Sequence, residues 1–557
     1  MIPLSALAVI VDPASDHVAV AKRDIAAGTT LRCPDGQVVT VRAAVAPGHR
    51  FSIRTVPAGE WLRQYGQPFA ISRGLLPGDP ITDSTVENIV PQEDPEHIQL
   101  QAPTLPPWEG PLPTFAGYQR ADGRAGVRNW ILIVPTSNCS SHEAATIAMQ
   151  AELSGLYSRE KYPNVDGVTA IPHTRGCGCP DMIPPGVPGH RYTSVVEATM
   201  RLLANYIRHP NVGAALVIDL GCEKTNLSAF NHFIAGDFHL IPEAVAPVPS
   251  TRAARPVDFS AAYGKPVFGL SIQECGGTRA TIQRGLALVA EMLEKANEIS
   301  RVPIPAGELA LGLECGGSDA FSGLSANPAL GCASDLLIRA GGTSIISETP
   351  EFFGAEHLFA RRAVSRQVAR DIFAQIQRYR EYAGRNGASL SENPTPGNKA
   401  GGLLNITIKS LGAMAKAGQA TVQGVIDYGE PYGQKGQAGS PSRGLYLMHG
   451  PGYDPESVPA MVASGCQVVC FTTGRGSVLG NAIAPVIKIA SNSAMYSRMS
   501  TDMDVNAGVV LDGAASVSAV GQQIFTEILA AASGKWTKAE ENGHREFAIW
   551  SEEGISL

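Results

Sequence analysis

Residues 130–143 read WILIVPTSNCSSHE, an unbroken apolar run from Trp130 to Pro135 that stops at a polar turn carrying Cys139 and His142. A short apolar run closed by turn residues is the signature of a strand buried on both faces. The same grammar recurs in AALVIDLGCEK from Ala214, VFGLSIQECGGT from Val267, LALGLECGGSD from Leu309 and VVCFTTGRG from Val468. In open α/β sheets, ligands bind beyond the carboxyl ends of the strands, where loops hold functional groups over a rigid scaffold. The pattern therefore predicts an enzyme whose site is assembled from distant strand ends. Cys139, Cys222, Cys275 and Cys315 lie in such turns, beside His142, Glu223, Glu274 and Asp319.

Working outward, helix-like segments at 195–208, 281–300 and 357–387 alternate with these strands, a βαβ rhythm that implies largely parallel sheets. A chain of 557 residues exceeds one hydrophobic core. Residues 1–90 alternate short β-like runs with Gly/Pro turns and read as a small all-β domain. Residues 91–116 carry six prolines after Pro91 and read as a linker. An α/β catalytic domain is expected over 117–390. Periodicity breaks at 388–402, so a C-terminal α/β domain is expected over 391–557. The fold class is thus multidomain α/β: a β domain followed by two α/β regions.

A net charge of −7 supplies no basic field for nucleic acid or an anionic membrane. No apolar run reaches the roughly 18 residues that span a bilayer. The N-terminal MIPLSALAVIVDP lacks a basic region and a cleavage site, so a cytoplasmic location is expected. Ten scattered cysteines read as free thiols in a reducing compartment.

The stretch GYQRADGRAGVRNWILIVPTSNCSSHE (117–143) closely resembles the altronate and galactarate dehydratase family. The likeness continues through NVDGVTAIPHTRGCG (164–178), VIDLGCEK (217–224), QECGGT (273–278), GLECGGSDAFSGLSANPALG (312–331), ENPTPGNKAGGLLNITIKSLGAMAKAG (392–418), GLYLMHGPGYD (444–454) and FTTGRGSVLGNAIAPVIKIASNS (471–493). DHVAVA and APGHRF make the N-terminal domain similar to the SAF (β-clip) domain that long family members carry. The resemblance implies loss of water from an altronate- or galactarate-like sugar acid, giving a 2-keto-3-deoxy acid. It also implies a divalent metal, usually Fe(II), with Mn(II) or Mg(II) as alternatives. A homodimer with a small-molecule substrate is the expected assembly. His449 follows GLYLM where the family pattern carries an acidic residue, a departure that bears on substrate more than on reaction class.

Abstracting a proton next to a carboxylate builds a second negative charge, which a bound cation stabilises. A base must take the α-proton and an acid must protonate the departing 3-hydroxyl. His49, in the turn APGHRF, is a candidate ligand or base delivered across a domain interface; otherwise it is a surface histidine. Cys139 and His142 are three apart beyond a strand end, and thiolate with imidazole suits iron or zinc. The alternative is a buried small thiol and a helix-capping imidazole. His173 and the run Gly176–Cys179 are similar in kind. Cys177 and Cys179 are too close for a common zinc knuckle, and a single such pair does not by itself indicate an iron–sulfur cluster.

Glu223 and Glu274 are candidate catalytic carboxylates, with a salt-bridged loop acid as the alternative. The metal-ligand candidates are His49, Cys139, Cys177, Cys222 and Cys315. Gly316, Gly317, Ser318 and Asp319 form a turn whose N–H groups could cradle a carboxylate. Arg128, Asn129, Lys409, His449, Arg475 and Lys488 complete the substrate-binding candidates; Arg475 is the expected bidentate clamp. Lys416 reads equally as a solvated helix face. Two other readings are a sulfolactate sulfo-lyase-like elimination and a non-catalytic sugar-acid binding protein.

Overall fold

The computed structural model describes residues 2–178, 181–182, 190–192, 194–234, 239–240, 256–433 and 443–552. The N-terminal residues form three small sheets of three, four and three strands. Their strands are short because Gly/Pro turns interrupt the chain repeatedly. Leu31, Val39, Phe51 and Ile53 form a private core, whereas Leu62 and Phe69 join the main core of the molecule.

Residues 91–113 are not a loose connector. Thr421 Oγ1 donates to the Pro103 carbonyl at 2.6 Å and Arg339 Nε to that of Pro106 at 2.9 Å. The segment is a strap laid along the C-terminal region; its prolines keep it extended and leave carbonyls to be captured.

The first α/β unit contains strands β1 (Trp130–Pro135), β2 (Gly167–Ala170), β3 (Val212–Asp219), β4 (Val257–Asp258) and β5 (Val267–Ser271), in the order β2-β1-β3-β5-β4. All pairs are parallel except β4 with β5. Ile133 pairs with both Ala170 and Leu216, and Asp219 pairs with Ser271. The loops after β1, β2, β3 and β5 therefore leave from one edge. Ile131, Ile133, Leu216 and Ile218 are fully buried under helices α1 (Ser141–Leu153) and α3 (Thr278–Ala296). Each such side chain contributes about 1.5–3 kcal/mol. Helix α2 (Ser194–Arg208) turns Leu202, Leu203 and Tyr206 into the main core.

The second unit is an all-parallel sheet of seven strands: β6 (Ala310–Cys315), β7 (Thr343–Ile346), β8 (Val422–Ile426), β9 (Leu445–Met448), β10 (Val468–Thr473), β11 (Val486–Ala490) and β12 (Val505–Asn506). Its order is β8-β9-β7-β6-β10-β11-β12. The boundary expected near 390 falls inside this sheet, because β6 and β7 pair with strands that follow it. The division lies instead before β6. Residues 388–402 imitate a linker because they form a turn-rich loop, closed by the short helix Pro396–Ala400, on the site edge of this unit.

Candidate active site

A cavity of about 460 Å³ opens between the N-terminal β domain and the carboxyl edge of the seven-stranded sheet. Lys22 and Arg23 reach it from the β domain, Asp319 from the turn after β6, Arg475 from the turn after β10 and Arg498 from the helix after β11. The two turns are locked together, since the Gly317 carbonyl accepts from Gly474 N at 3.2 Å and Arg475 N at 2.9 Å. A Cβ on Gly474 would lie 2.1 Å from the Asp319 carboxyl carbon, so only glycine fits there. Arg475 is exposed to the cavity, and no carboxylate pairs with it among the described residues.

Asp319 is buried; its Oδ1 accepts from Ser491 Oγ at 2.8 Å and Ser322 N at 2.9 Å, and its Oδ2 from Asn492 Nδ2 at 3.1 Å. Burial nevertheless holds its carboxyl above the ordinary range. In the same turn, Gly316 N already donates to Thr472 O and Asp319 N to Ser322 Oγ. Among the described residues, the Gly317 and Ser318 N–H groups remain for the expected cradle. Ser318 Oγ is buried without a partner among the described residues.

The β domain closes this site by backbone contact. Gly48 has φ +83°, and a Cβ there would meet the Gly401 carbonyl at 2.7 Å; one on Gly402 would meet the Gly48 carbonyl at 2.3 Å. Pro47 lines the cavity and His49 follows, half-buried, on the same loop. Arg50, buried, anchors the loop by donating to the Gly402 carbonyl and to Gln64 Oε1.

Behind the 316–319 turn lies a buried ionic network. Lys416 contacts Glu348 and lies 3.0 Å from Cys315 Sγ; Lys409 Nζ lies 2.5 Å from Glu351 Oε1. Glu314, whose Oε2 accepts from Ser457 Oγ at 2.8 Å, and Asp454 complete the cluster. Four carboxyls thus face two ammoniums. Burial pushes Glu348 up to about 8 against the pull of Lys416, and burial with Glu351 raises Asp454 to about 7. Glu314 Oε1 is buried without a partner among the described residues. Two ligand sets have their donor atoms within 4.8 Å of one another: Cys315, Glu348 and Glu351, and Glu314, Glu348 and Asp454. An unpartnered carboxylate oxygen and excess negative charge fit a divalent cation. The solvated helix face read for Lys416 is corrected here: its side chain is fully enclosed.

The first α/β unit gathers a different set. Cys139, His142, Cys177, Cys222 and Glu274 are exposed along its carboxyl edge, and Glu223 is buried beneath them. Among the described residues Glu223 forms no ion pair, and it is buried rather than open to substrate. Its Oε1 accepts from Thr136 Oγ1, Ser137 Oγ and Leu220 N at 2.9–3.0 Å, and its Oε2 from Gly221 N at 2.8 Å. It is a clamp between two strand-end loops. His173 Nε2 bonds the Pro135 carbonyl at 2.8 Å and its Nδ1 accepts from Arg175 N at 3.2 Å; burial pushes its pKa down to about 4. Both ring nitrogens are occupied, which leaves neither for substrate. Cys179 lies outside the described residues.

Other expected binding groups are spent on architecture. Arg128, fully buried, uses its donors on the Glu540 carboxylate and the carbonyls of Val127, Ala531 and Lys535. Asn129 donates to the carbonyls of Asn164 and Ala296. Lys488 Nζ lies 3.3 Å from His544 Nδ1, away from the residues lining the cationic cavity. His449 Nε2 is 2.8 Å from Glu552 Oε1, beside Trp550. Arginine is conspicuous in sequence, but its donors serve carbonyls as readily as substrates.

Sequence reasoning missed Lys22, Arg23, Arg498, Glu314, Glu348, Glu351 and Asp454. A signal existed for two of them: Glu348 and Glu351 sit in SETPE directly after β7, the same strand-end grammar without cysteine or glycine to mark it.

A cationic cavity at the carboxyl edge of a parallel sheet, backed by buried carboxylates and closed by a separate β domain, is the arrangement of a multidomain α/β enzyme. Comparison with known proteins narrows this. Residues 7–75 match the altronate/galactarate dehydratase SAF domain, 117–297 the second domain of D-galactarate dehydratase/altronate hydrolase, and 306–554 the D-galactarate/altronate dehydratase C-terminal domain. The chain is 32% identical to the altronate dehydratase of Bacillus subtilis, over 97% of this chain and 98% of that one. It is 33% identical to two Escherichia coli proteins: altronate dehydratase (98% and 99% covered) and galactarate dehydratase (L-threo-forming) (96% and 95% covered). The chain belongs to the altronate/galactarate dehydratase family, whose members are hydro-lyases. The second and C-terminal matches meet between 297 and 306, in accord with the sheet division.

Proposed function

We propose that this protein dehydrates an altronate- or galactarate-like sugar acid to a 2-keto-3-deoxy acid, in the cavity between the β domain and the seven-stranded sheet. The observation that carries this reading is the concentration of Lys22, Arg23, Arg475 and Arg498 around one cavity of a chain whose net charge is −7. Arg475 binds the substrate carboxylate through two parallel N–H donors. His49, on the loop closing the cavity, takes the α-proton, and Asp319, kept above the ordinary carboxylate range by burial, protonates the departing 3-hydroxyl. The enol so formed tautomerises to the ketone. Glu314, Glu348 and Asp454 would hold a divalent metal, Fe(II) or else Mn(II) or Mg(II), which when bound supplies Lewis-acid stabilisation of carboxylate charge. A reducing cytoplasm is the setting that keeps the exposed thiols from forming disulfides.

The test is a screen of hexonates, hexarates and the matching neutral sugars with added Fe(II), Mn(II) or Mg(II), reading 2-keto-3-deoxy acid. Turnover of acids alone supports the reading. Release of sulfite from sulfolactate with no hexonate or hexarate turnover, or tight binding without turnover, would overturn it.

A further inference from the structure

Cys139, Cys177 and Cys222 are exposed, whereas Cys33, Cys275, Cys315, Cys466 and Cys470 are buried. An unligated cysteine is among the most buried residue types, so three exposed thiols on one edge require a reason. They sit on the loops that follow β1, β2 and β3, and β1 is the parallel neighbour of both other strands. Side-chain and backbone ties fix these loops to one another. Glu223 joins the Thr136–Ser137 segment to the Leu220–Gly221 turn, while Asn138 N donates to Arg175 O at 3.0 Å. Gly176, at φ +101°, presses on the same segment: a Cβ there would meet the Thr136 carbonyl at 2.4 Å and Ser137 Cα at 2.8 Å. This approach sets Cys177 against Cys139. Cys139 is hydrogen-bonded to the Cys177 thiol, and Cys222 and Glu223 lie beside this pair.

We propose that Cys139, Cys177 and Cys222 together ligate an iron–sulfur cluster, a second inorganic centre separate from the carboxylate network of the C-terminal unit. Thiolates select zinc, Cu(I) or iron–sulfur clusters over hard cations. Spacing favours the cluster. A tetrahedral ion with metal–sulfur bonds of about 2.3 Å holds its thiolates about 3.8 Å apart. Among the described residues, Cys139, Cys177 and Cys222 do not all have their sulfurs within 4.8 Å of one another. A multi-iron cluster spans that spread, and three protein thiolates leave one iron of a cubane-type cluster open to another ligand.

The full chain, reconstituted without oxygen using ferrous iron and sulfide and then desalted, should retain iron and acid-labile sulfide in equal amounts, with a Mössbauer spectrum of cluster iron. Cys139→Ser, Cys177→Ser and Cys222→Ser should each lose this signal, and Cys332→Ser should keep it. Thermal unfolding of each variant separates loss of the site from loss of the fold. Should the variants fail to fold, alkylation of the wild type read by mass spectrometry serves instead: the three thiols should be protected only after reconstitution. Iron without sulfide, zinc as the sole retained metal, a Cys139–Cys177 disulfide in the reconstituted protein, or unchanged alkylation would overturn the proposal. None of these outcomes bears on the dehydratase reading, whose substrate cavity lies elsewhere.

Discussion

Lys416 Nζ lies 3.0 Å from Cys315 Sγ, and both side chains are almost completely enclosed. The ammonium also contacts Glu348, so it neutralises a carboxylate that water cannot reach. Removing one partner of a buried pair leaves an uncompensated charge, at about 3–5 kcal/mol. Lys416→Met should therefore lower stability on that scale in urea unfolding above pH 8, where Glu348 is ionised. A loss within experimental error of zero would mean that Glu348 is already neutral in the native state.

The same network sets a pH dependence. Burial raises Glu348 from its ordinary 4.5 to about 8 and Asp454 from 3.8 to about 7. Between the unfolded and folded values the native state holds the protons and the unfolded chain does not, so stability falls as pH rises through this window. Metal-free protein should lose stability progressively from about pH 4 to pH 8, read by denaturant melts at fixed ionic strength. A divalent cation bound by these carboxylates should flatten or reverse the slope. Identical slopes with and without cation would remove the network as a metal site.

Arg475 offers a planar fork, which lysine cannot reproduce. Arg475→Ala and Arg475→Lys should both lower kcat/KM for the sugar acid, with the lysine variant failing to recover the wild-type value. Steady-state kinetics on the pair decide the matter. A lysine variant equal to wild type would reduce Arg475 to a point charge.

His49 follows Gly48, whose backbone touches Gly401 and Gly402. Loss of a general acid or base costs about 10²–10⁴ in rate. His49→Ala should lower kcat on that scale with its thermal midpoint nearly unchanged. Unaltered kcat would leave the loop with a purely structural part.

What was legible in the sequence follows from which interactions are local. WILIVP, AALVID and LALGLEC announced themselves as strands because burial on both faces demands unbroken apolar runs. Arg475 was legible because the glycines flanking it signal a turn. Lys22 and Arg23 were not, since their relevance depends on how the β domain docks, which no periodicity encodes. Arg128 looked like a binding group but closes helix and loop carbonyls near Ala531 and Lys535. Glu314 sits inside an apolar strand and is identified only when Ser457, Glu348 and Asp454 arrive from distant segments.

The strap at 91–113 is one of several ties between the β domain and the rest of the chain. Asn405 Nδ2 donates to the Phe69 carbonyl at 3.0 Å, His357 Nε2 lies 3.2 Å from Gln67 Oε1, and Gly48 interlocks with Gly402. With docking borne by these contacts, the covalent connection acts chiefly through proximity, setting an effective concentration of order millimolar for a short tether. A chain nicked within the strap would then remain associated, and the two pieces produced separately would recombine at a rate set by how often they meet.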